Sequence, residues 1–379
     1  MFKKNTPSFF AALFAFVVSF SAQTGPFTSE AQQALLIDLT TGTILYEKEA
    51  DKLVAPSSMS KIMTVYMVLN EIKQGRLSLQ DTFTVSKKAW KMRGSRMFIR
   101  VKSDVTVSDL LRGVIVQSGN DAAIALAEGV AGSEEAFVEM MNKKAREIGA
   151  RDARFTNATG WPDPEHQMTL RDLAVIATRT MMDFPEYYGM YKEPDFTHNN
   201  IKQPNRNPLL FEKVGCDGLK TGHTELGGYG LVASTLQKGR RLLMIVNGCK
   251  TKKQRAQASK RLITYGYRAF AGTVLYSAGQ TVETADVWMG VKNKIPLLSE
   301  TDVAITVPRA LIKDVSIEVV YKTPLQAPVS VGDPVAKIIV KIPGKPEKEY
   351  PLIAGESSKK IGFFSRIGSA FNYLVFGGS

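Results

Sequence analysis

Three short motifs stand in a fixed order along this 379-residue chain: Ser58-Met59-Ser60-Lys61, then Ser118-Gly119-Asn120, then Lys220-Thr221-Gly222. They are separated by 60 and then 102 positions. If they act together, the fold must return three distant segments to one place. Each motif alone has an ordinary explanation. Ser58 suits a helix N-cap with a solvated lysine one turn on, and a second Ser-x-x-Lys match occurs at Ser357/Lys360. Ser-Gly-Asn is plain turn chemistry. Their order and spacing are what the ordinary explanations leave unaccounted for.

The residue chemistry is coherent. Pro56-Ser57-Ser58 precedes the apolar run Ile62 to Leu69, which places Ser58 near a helix start. Lys61 lies three residues on and shares a helix face with Ser58, within reach of its hydroxyl. A serine hydroxyl is a poor nucleophile until a base takes its proton. A lysine does this only if burial or a second cation depresses its pKa, and Lys220 is the natural second cation. Ser118-Gly119-Asn120 reads as a loop between two helices, its serine placed for a proton relay and its asparagine for a substrate amide. Lys220-Thr221-Gly222-His223-Thr224 reads as a strand, with Gly222 letting a substrate backbone approach closely. The N–H groups of Ser58 and His223 are expected to form an oxyanion hole.

With these residues, the chain resembles the low-molecular-mass penicillin-binding proteins that act as D-alanyl-D-alanine carboxypeptidases. Gly218-Leu219-Lys220-Thr221-Gly222-His223-Thr224 looks like the extended family signature, and the likeness covers nearly the whole mature chain. The resemblance implies an α/β (α+β) catalytic domain of the serine β-lactamase/penicillin-binding-protein type, an antiparallel sheet with a helical cluster. It implies Ser58 as nucleophile, Lys61 as base for acylation, and Ser118 and Asn120 on the second wall. Lys220, Thr221 and Arg206 (in Asn205-Arg206-Asn207) are expected to recognise a carboxylate. Gly94-Ser95-Arg96-Met97-Phe98 resembles the family's flexible loop beside the site, and His166 is expected nearby. The implied partners are a peptidoglycan stem peptide and β-lactam antibiotics as covalent inhibitors. No cofactor and no metal are expected.

A net charge of +13 suits nucleic acid, anionic lipid or an anionic polymer. No nucleic-acid module stands out, so lipid and cell wall fit better. Lys3-Lys4 followed by the apolar stretch Phe9 to Phe20 reads as a secretion signal over residues 1–22, too short to span a bilayer. Export permits a disulfide. Yet Cys216 and Cys249, the two cysteines, fall at opposite ends of three expected meander strands, Val214 to Thr224, Tyr229 to Leu236 and Arg241 to Gly248.

The remaining organisation follows from pattern. Ala34 to Leu39 and Thr43 to Glu47 form a hairpin, and a helical stretch runs from Ser58 to about Gly228. Arg255 to Phe270 is a closing helix that completes a catalytic domain over 28–272. A small β-sandwich over 273–354 is expected to contain strands Thr281 to Met289, Val303 to Val307, Val315 to Tyr321, Pro328 to Val331 and Val335 to Ile342. Residues 356–379 read as an amphipathic helix, with Ile361, Phe363, Phe364, Ile367, Phe371, Leu374 and Val375 on one side. Such a helix lies in an anionic membrane surface. The expected location is therefore the periplasmic face of the inner membrane, peripherally attached.

Two other functions compete. A class A β-lactamase needs a deacylating glutamate in a Glu-x-x-Leu-Asn segment, which the chain lacks. Intact Ser58 and Lys61 argue against a non-catalytic binding protein, a β-lactam sensor or a wall-binding scaffold. An endopeptidase acting on cross-links stays open within the first class.

Overall fold

The computed structural model describes residues 27–362. The signal segment 1–22 and most of the expected C-terminal helix lie outside these residues. The catalytic part is built on a five-stranded antiparallel sheet. Its strands are β1 (Gln33–Asp38), β2 (Thr43–Lys48) and, after two short ribbons β3/β4 (Thr82–Thr84, Asp104–Thr106) and β5/β6 (Asp195–His198, Ile201–Pro204), the meander β7 (Cys216–Thr224), β8 (Gly228–Gln237) and β9 (Arg240–Cys249). The spatial order is β2-β1-β9-β8-β7. The two ribbons lie within the stretch that the sequence suggested was helices joined by loops.

Side chains alternate across the sheet with period two. Leu35, Leu219, Val232, Leu243 and Ile245 face one core, shared with the helices. Ala34, Leu36, Leu231, Ala233, Leu242, Met244 and Val246 face the other. The first face is covered by α1 (Lys61–Lys73), α3 (Val107–Ile115), α4 (Asn120–Ala131), α5 (Glu134–Ile148) and α6 (Leu170–Asp183), with the short α2 (Lys87–Lys91) packed at α4. The second is covered by α7 (Lys252–Ala269), which inserts Ala258, Leu262 and Ile263.

Helix α1 is the hub. Ten of its 13 residues are buried, polar Lys61, Thr64 and Glu71 included. A helix with apolar groups all round belongs inside a protein, and here it forces Lys61 out of water. The surrounding helices start on side-chain caps: Thr106 for α3, Ser133 for α5, and a full capping box of Thr169 with Asp172 for α6.

Register fixes the two cysteines. Cys216 pairs opposite Thr235 and Cys249 opposite Tyr229, at the two ends of β8, and both thiols are unbridged.

The C-terminal β domain has its own core, including Ala285, Ile295, Leu297, Ile338, Val340 and Leu352. Its strands are β10 (Phe270–Tyr276), β11 (Thr281–Trp288), β12 (Lys294–Ser299), β13 (Val303–Pro308), β14 (Ser316–Tyr321), β15 (Leu325–Gln326), β16 (Pro334–Lys341) and β17 (Lys348–Ala354). β10 pairs with β13, and the others form one sheet in the order β14-β16-β17-β12-β11-β15. Expected strand Pro328 to Val331 is instead extended chain held by one bridge, Val329 to Ser358. The start of the expected tail helix also differs. Ser358 and Lys360 form isolated bridges to Val329 and Gly290, so this stretch closes the β domain in extended form. That contact also disposes of the second Ser-x-x-Lys match. The Ser357 hydroxyl accepts from Val331 N–H, and both Ser357 and Lys360 are on the surface.

The two domains meet at a buried joint. The Asp38 carboxylate, fully buried, accepts from Arg240 Nε at 2.6 Å and from the Thr306 hydroxyl of β13 at 2.7 Å. Arg240 also donates to the Gly266 and Phe270 carbonyls, where α7 passes into β10.

Candidate active site

The three motifs converge on one cleft of about 590 Å³, lined by Ser58, Ser118, Thr221, Gly222 and His223 together with Arg206 and Arg255. Ser58 sits in a 3-10 turn, Ser57–Ser60, that runs directly into α1. The turn is fixed against the sheet: the hydroxyls of Ser57 and Thr224 lie 2.8 Å apart, and Thr224 also accepts from Gly227 N–H at 2.9 Å. Gly222 is needed for this approach. A Cβ there would lie 2.8 Å from the Pro56 carbonyl oxygen, so the glycine admits the turn that carries Ser58. Gly160, at φ +71°, is required in the same way from the other side, against the Ser57 carbonyl.

Lys61 is fully buried. Its ammonium nitrogen donates to Ser58 Oγ at 2.9 Å, to Asn120 Oδ1 at 2.7 Å and to the Thr159 carbonyl. The Asn120 amide is oriented by donating to the Arg93 carbonyl at 2.7 Å. Burial, helped by the positive charge of Arg206 and opposed by Asp121, lowers the lysine from its ordinary 10.5 to about 7. A substantial neutral fraction therefore exists at neutral pH.

Lys220 is also buried and donates to the Thr221 carbonyl at 3.2 Å. Its pKa is well below the ordinary lysine value through burial, then through Lys61, Arg206 and Arg255. Ser118 adopts the left-handed conformation at φ +61°, and its buried hydroxyl has no protein partner. Holding a serine there costs about 1–3 kcal/mol. The bonds from Gly119 N–H to the Gly113 carbonyl and from Asn120 N–H to the Ser95 carbonyl keep it in place.

Arg206 reaches across the cleft mouth to donate to Ser95 Oγ. Its neighbours hold it: Asn205 donates to the Glu193 carbonyl at 3.0 Å and Asn207 to the Gly218 carbonyl at 2.9 Å. His223 is exposed and stacks on Tyr229 with ring centroids 3.8 Å apart. His166 lies beneath the site. It is buried edge-on to Phe155, accepts from Thr156 N–H, and burial pushes it down to about 4. A neutral packing histidine is the result.

Three contributors escaped the sequence reading. Asp121, fully buried, accepts from the backbone N–H groups of Met97, Phe98 and Ile99 and so ties down the loop beside the site. The Thr159 carbonyl is a backbone group with no sequence signal. Arg255 did leave a signal. The inner face of α7 runs Arg255, Ala258, Ser259, Leu262, Ile263, Gly266, and an arginine in that stripe has been turned inward for a reason. It lines the cleft beside Arg206 and Lys252, and its Nε has no protein partner.

Comparison with known proteins agrees with this geometry. Residues 19–251 match the family described as D-alanyl-D-alanine carboxypeptidase, and residues 270–360 match the C-terminal domain of penicillin-binding protein 5. The D-alanyl-D-alanine carboxypeptidase DacC of Escherichia coli is 39% identical over 346 residues, covering 89% of this chain and 86% of the relative. Penicillin-binding protein 5 from Haemophilus influenzae superposes with a TM-score of 0.79 at 37% identity, covering 89% of this chain and 99% of that structure. Penicillin-binding protein D2 from Listeria monocytogenes, in its ampicillin-bound form, superposes at 0.59 with 27% identity over 64% of this chain and all of that structure. The chain belongs to the D-alanyl-D-alanine carboxypeptidase family of serine hydrolases, in the two-domain form of the low-molecular-mass penicillin-binding proteins.

Proposed function

We propose that this enzyme removes the terminal D-alanine from peptidoglycan stem peptides through an acyl-enzyme on Ser58, and that β-lactams acylate the same serine. The observation that carries the assignment is the Lys61 amine, buried, depressed to about 7 and 2.9 Å from Ser58 Oγ. Neutral Lys61 takes the hydroxyl proton as Ser58 attacks the scissile carbonyl, and an ester forms as the peptide bond breaks. Ser58 and His223 both line the cleft, and their backbone N–H groups receive the developing oxyanion. Thr221, Arg206 and Arg255, with Lys220, hold the substrate's terminal carboxylate at the cationic end. The Ser118 hydroxyl, buried beside them without a partner, relays the proton to the leaving amine and serves again when water cleaves the ester.

We propose further that the chain is exported and held on the periplasmic face of the inner membrane by its C-terminal segment. The basic, apolar N-terminal stretch and the amphipathic spacing after Ile361 support this. No helix among the described residues is long and apolar enough to cross a membrane. Incubation with a peptide ending in D-Ala-D-Ala tests the activity. Free D-alanine is expected from the wild type and none from Ser58→Ala, which also loses covalent labelling by penicillin. Undiminished release by Ser58→Ala defeats the assignment.

A further inference from the structure

One charged excursion of the chain forms a lip of the cleft. Val85 N–H donates to the Ser103 carbonyl and Lys102 N–H to the Val85 carbonyl, both at 2.9 Å. Residues 86–102 therefore leave the catalytic domain and return to it at one point. Between Asp81 and Asp104 the chain carries seven lysines and arginines and no acid. Two of the cations are answered: Lys88 pairs with Glu134 and Glu135, and Arg96 lies 3.7 Å from Asp121. Lys87, Lys91, Arg93, Arg100 and Lys102 are exposed and have no ion-pair partner among the described residues. Trp90 and Phe98 stand among them, 40% and 43% exposed.

The excursion is fastened to the site. The Arg93 carbonyl accepts from Asn120 Nδ2 and the Ser95 carbonyl from Asn120 N–H, both at 2.7 Å, and Ser95 lines the cleft. Gln203 donates to the Arg96 carbonyl at 3.0 Å and Asn199 to the Phe98 carbonyl at 2.8 Å. The positive field is thus held at the mouth. Its place also selects what it meets. Gly222 in the cleft pairs with Gly230 near the start of β8, whereas Arg240, in the joint to the β domain, pairs with Gln237 at its end. The excursion therefore stands at the end of the sheet away from the β domain. A polymer that feeds the cleft meets it, and a lipid surface holding the C-terminal segment does not.

We propose that residues 86–102 form an exosite for a polyanionic glycan strand. While one peptide stem occupies the cleft, the terminal carboxylates of neighbouring stems rest on Lys87, Lys91 and Arg100, and the sugars have Trp90 to lie on. The inference rests on the reading above, in which the substrate is a stem ending in a carboxylate. Several weak contacts along one strand act together and raise the effective concentration of the next stem at Ser58.

The test compares D-alanine release from soluble, uncrosslinked glycan strands whose stems end in D-Ala-D-Ala with release from the same stem as a free peptide, at equal stem concentration and low salt. The triple variant Lys87→Gln/Lys91→Gln/Arg100→Gln is expected to lose about three- to tenfold in kcat/KM on the strands, as three exposed ion pairs warrant. It should lose nothing on the free peptide or in penicillin labelling. Added salt should remove the wild type's advantage on strands. An unchanged rate on strands, or an equal loss on both substrates, overturns the exosite. So does a variant that keeps its rate on strands yet sediments less with anionic vesicles, which would make the excursion a lipid surface. Strand binding by Ser58→Ala, with and without the triple change, separates the exosite from the catalytic reading. Release of D-alanine from neither substrate by the wild type overturns the carboxypeptidase reading, while salt-sensitive binding weakened by the triple change still supports the exosite. Binding that the triple change leaves alone overturns it.

Discussion

The pH dependence of acylation tests the chemistry most directly, because the structure sets its shape. If Lys61 is the base, the rate follows its neutral fraction. With the amine at about 7, that fraction is about one-tenth at pH 6, one-half at pH 7 and nine-tenths at pH 8. Single-turnover labelling by a fluorescent penicillin should therefore accelerate about tenfold from pH 6 to pH 8 and then level off. An unperturbed lysine would give about a hundredfold rise over the same interval with no levelling. Arg206→Gln sharpens the test. Burial is the larger cause of the depression, and the Arg206 charge is the second. Removing that cation favours the protonated amine, so the inflection must move to higher pH. On the proposed role of Arg206 in holding the ligand carboxylate the amplitude will also fall, but the position of the inflection reports on Lys61. A flat profile, a hundredfold climb in the wild type, or an inflection that moves downward in Arg206→Gln would refute lysine as base.

Two further outcomes follow from the same geometry. The folded pKa of Lys61 is below its unfolded value, so the unfolded chain binds more protons between about pH 7 and 10.5 and this group makes stability rise with pH there. From pH 7 to pH 9 urea denaturation should show about 2 kcal/mol of such gain in the wild type that Lys61→Met lacks; equal slopes would contradict the burial argument. Deleting residues 363–379, which spares the bridges at Ser358 and Lys360, should abolish sedimentation with anionic lipid vesicles while penicillin labelling persists. Sedimentation of the truncated protein would rule out the tail as the anchor.

What the sequence reveals here depends on the range of the interaction behind each feature. The meander, the closing helix and the position of Ser58 at a helix start were all readable, because each is written in local periodicity or in a contiguous motif. Strands β12 and β17 were not, because Pro296 and Pro351 interrupt them and proline argues against a strand interior. Gly222 has a second need for glycine that the sequence did not show. It is set by Pro56, which only the fold brings near. Asp121 is hard to see for a similar reason: besides Arg96 at 3.7 Å, its carboxylate is held by the peptide N–H groups of Met97, Phe98 and Ile99, and peptide groups carry no letter in a sequence. Lys61 and Asn120, by contrast, could be picked out directly and lie hydrogen-bonded together beside Ser58, since in each case the side chain of interest is itself part of the motif.

The joint at Asp38, Arg240 and Thr306 bears on how this molecule is aimed. Angular play at a hinge is multiplied by the length of the arm beyond it. With a carboxylate, a guanidinium and a hydroxyl locked together out of solvent, and with α7 passing unbroken into β10, the β domain behaves as a bracket and not as a tether. Wherever the chain beyond Gly362 is attached, the opening of the cleft then faces a set direction at a set height. On the proposed attachment, its reach would be that of a mounted tool, with substrate covered in one layer.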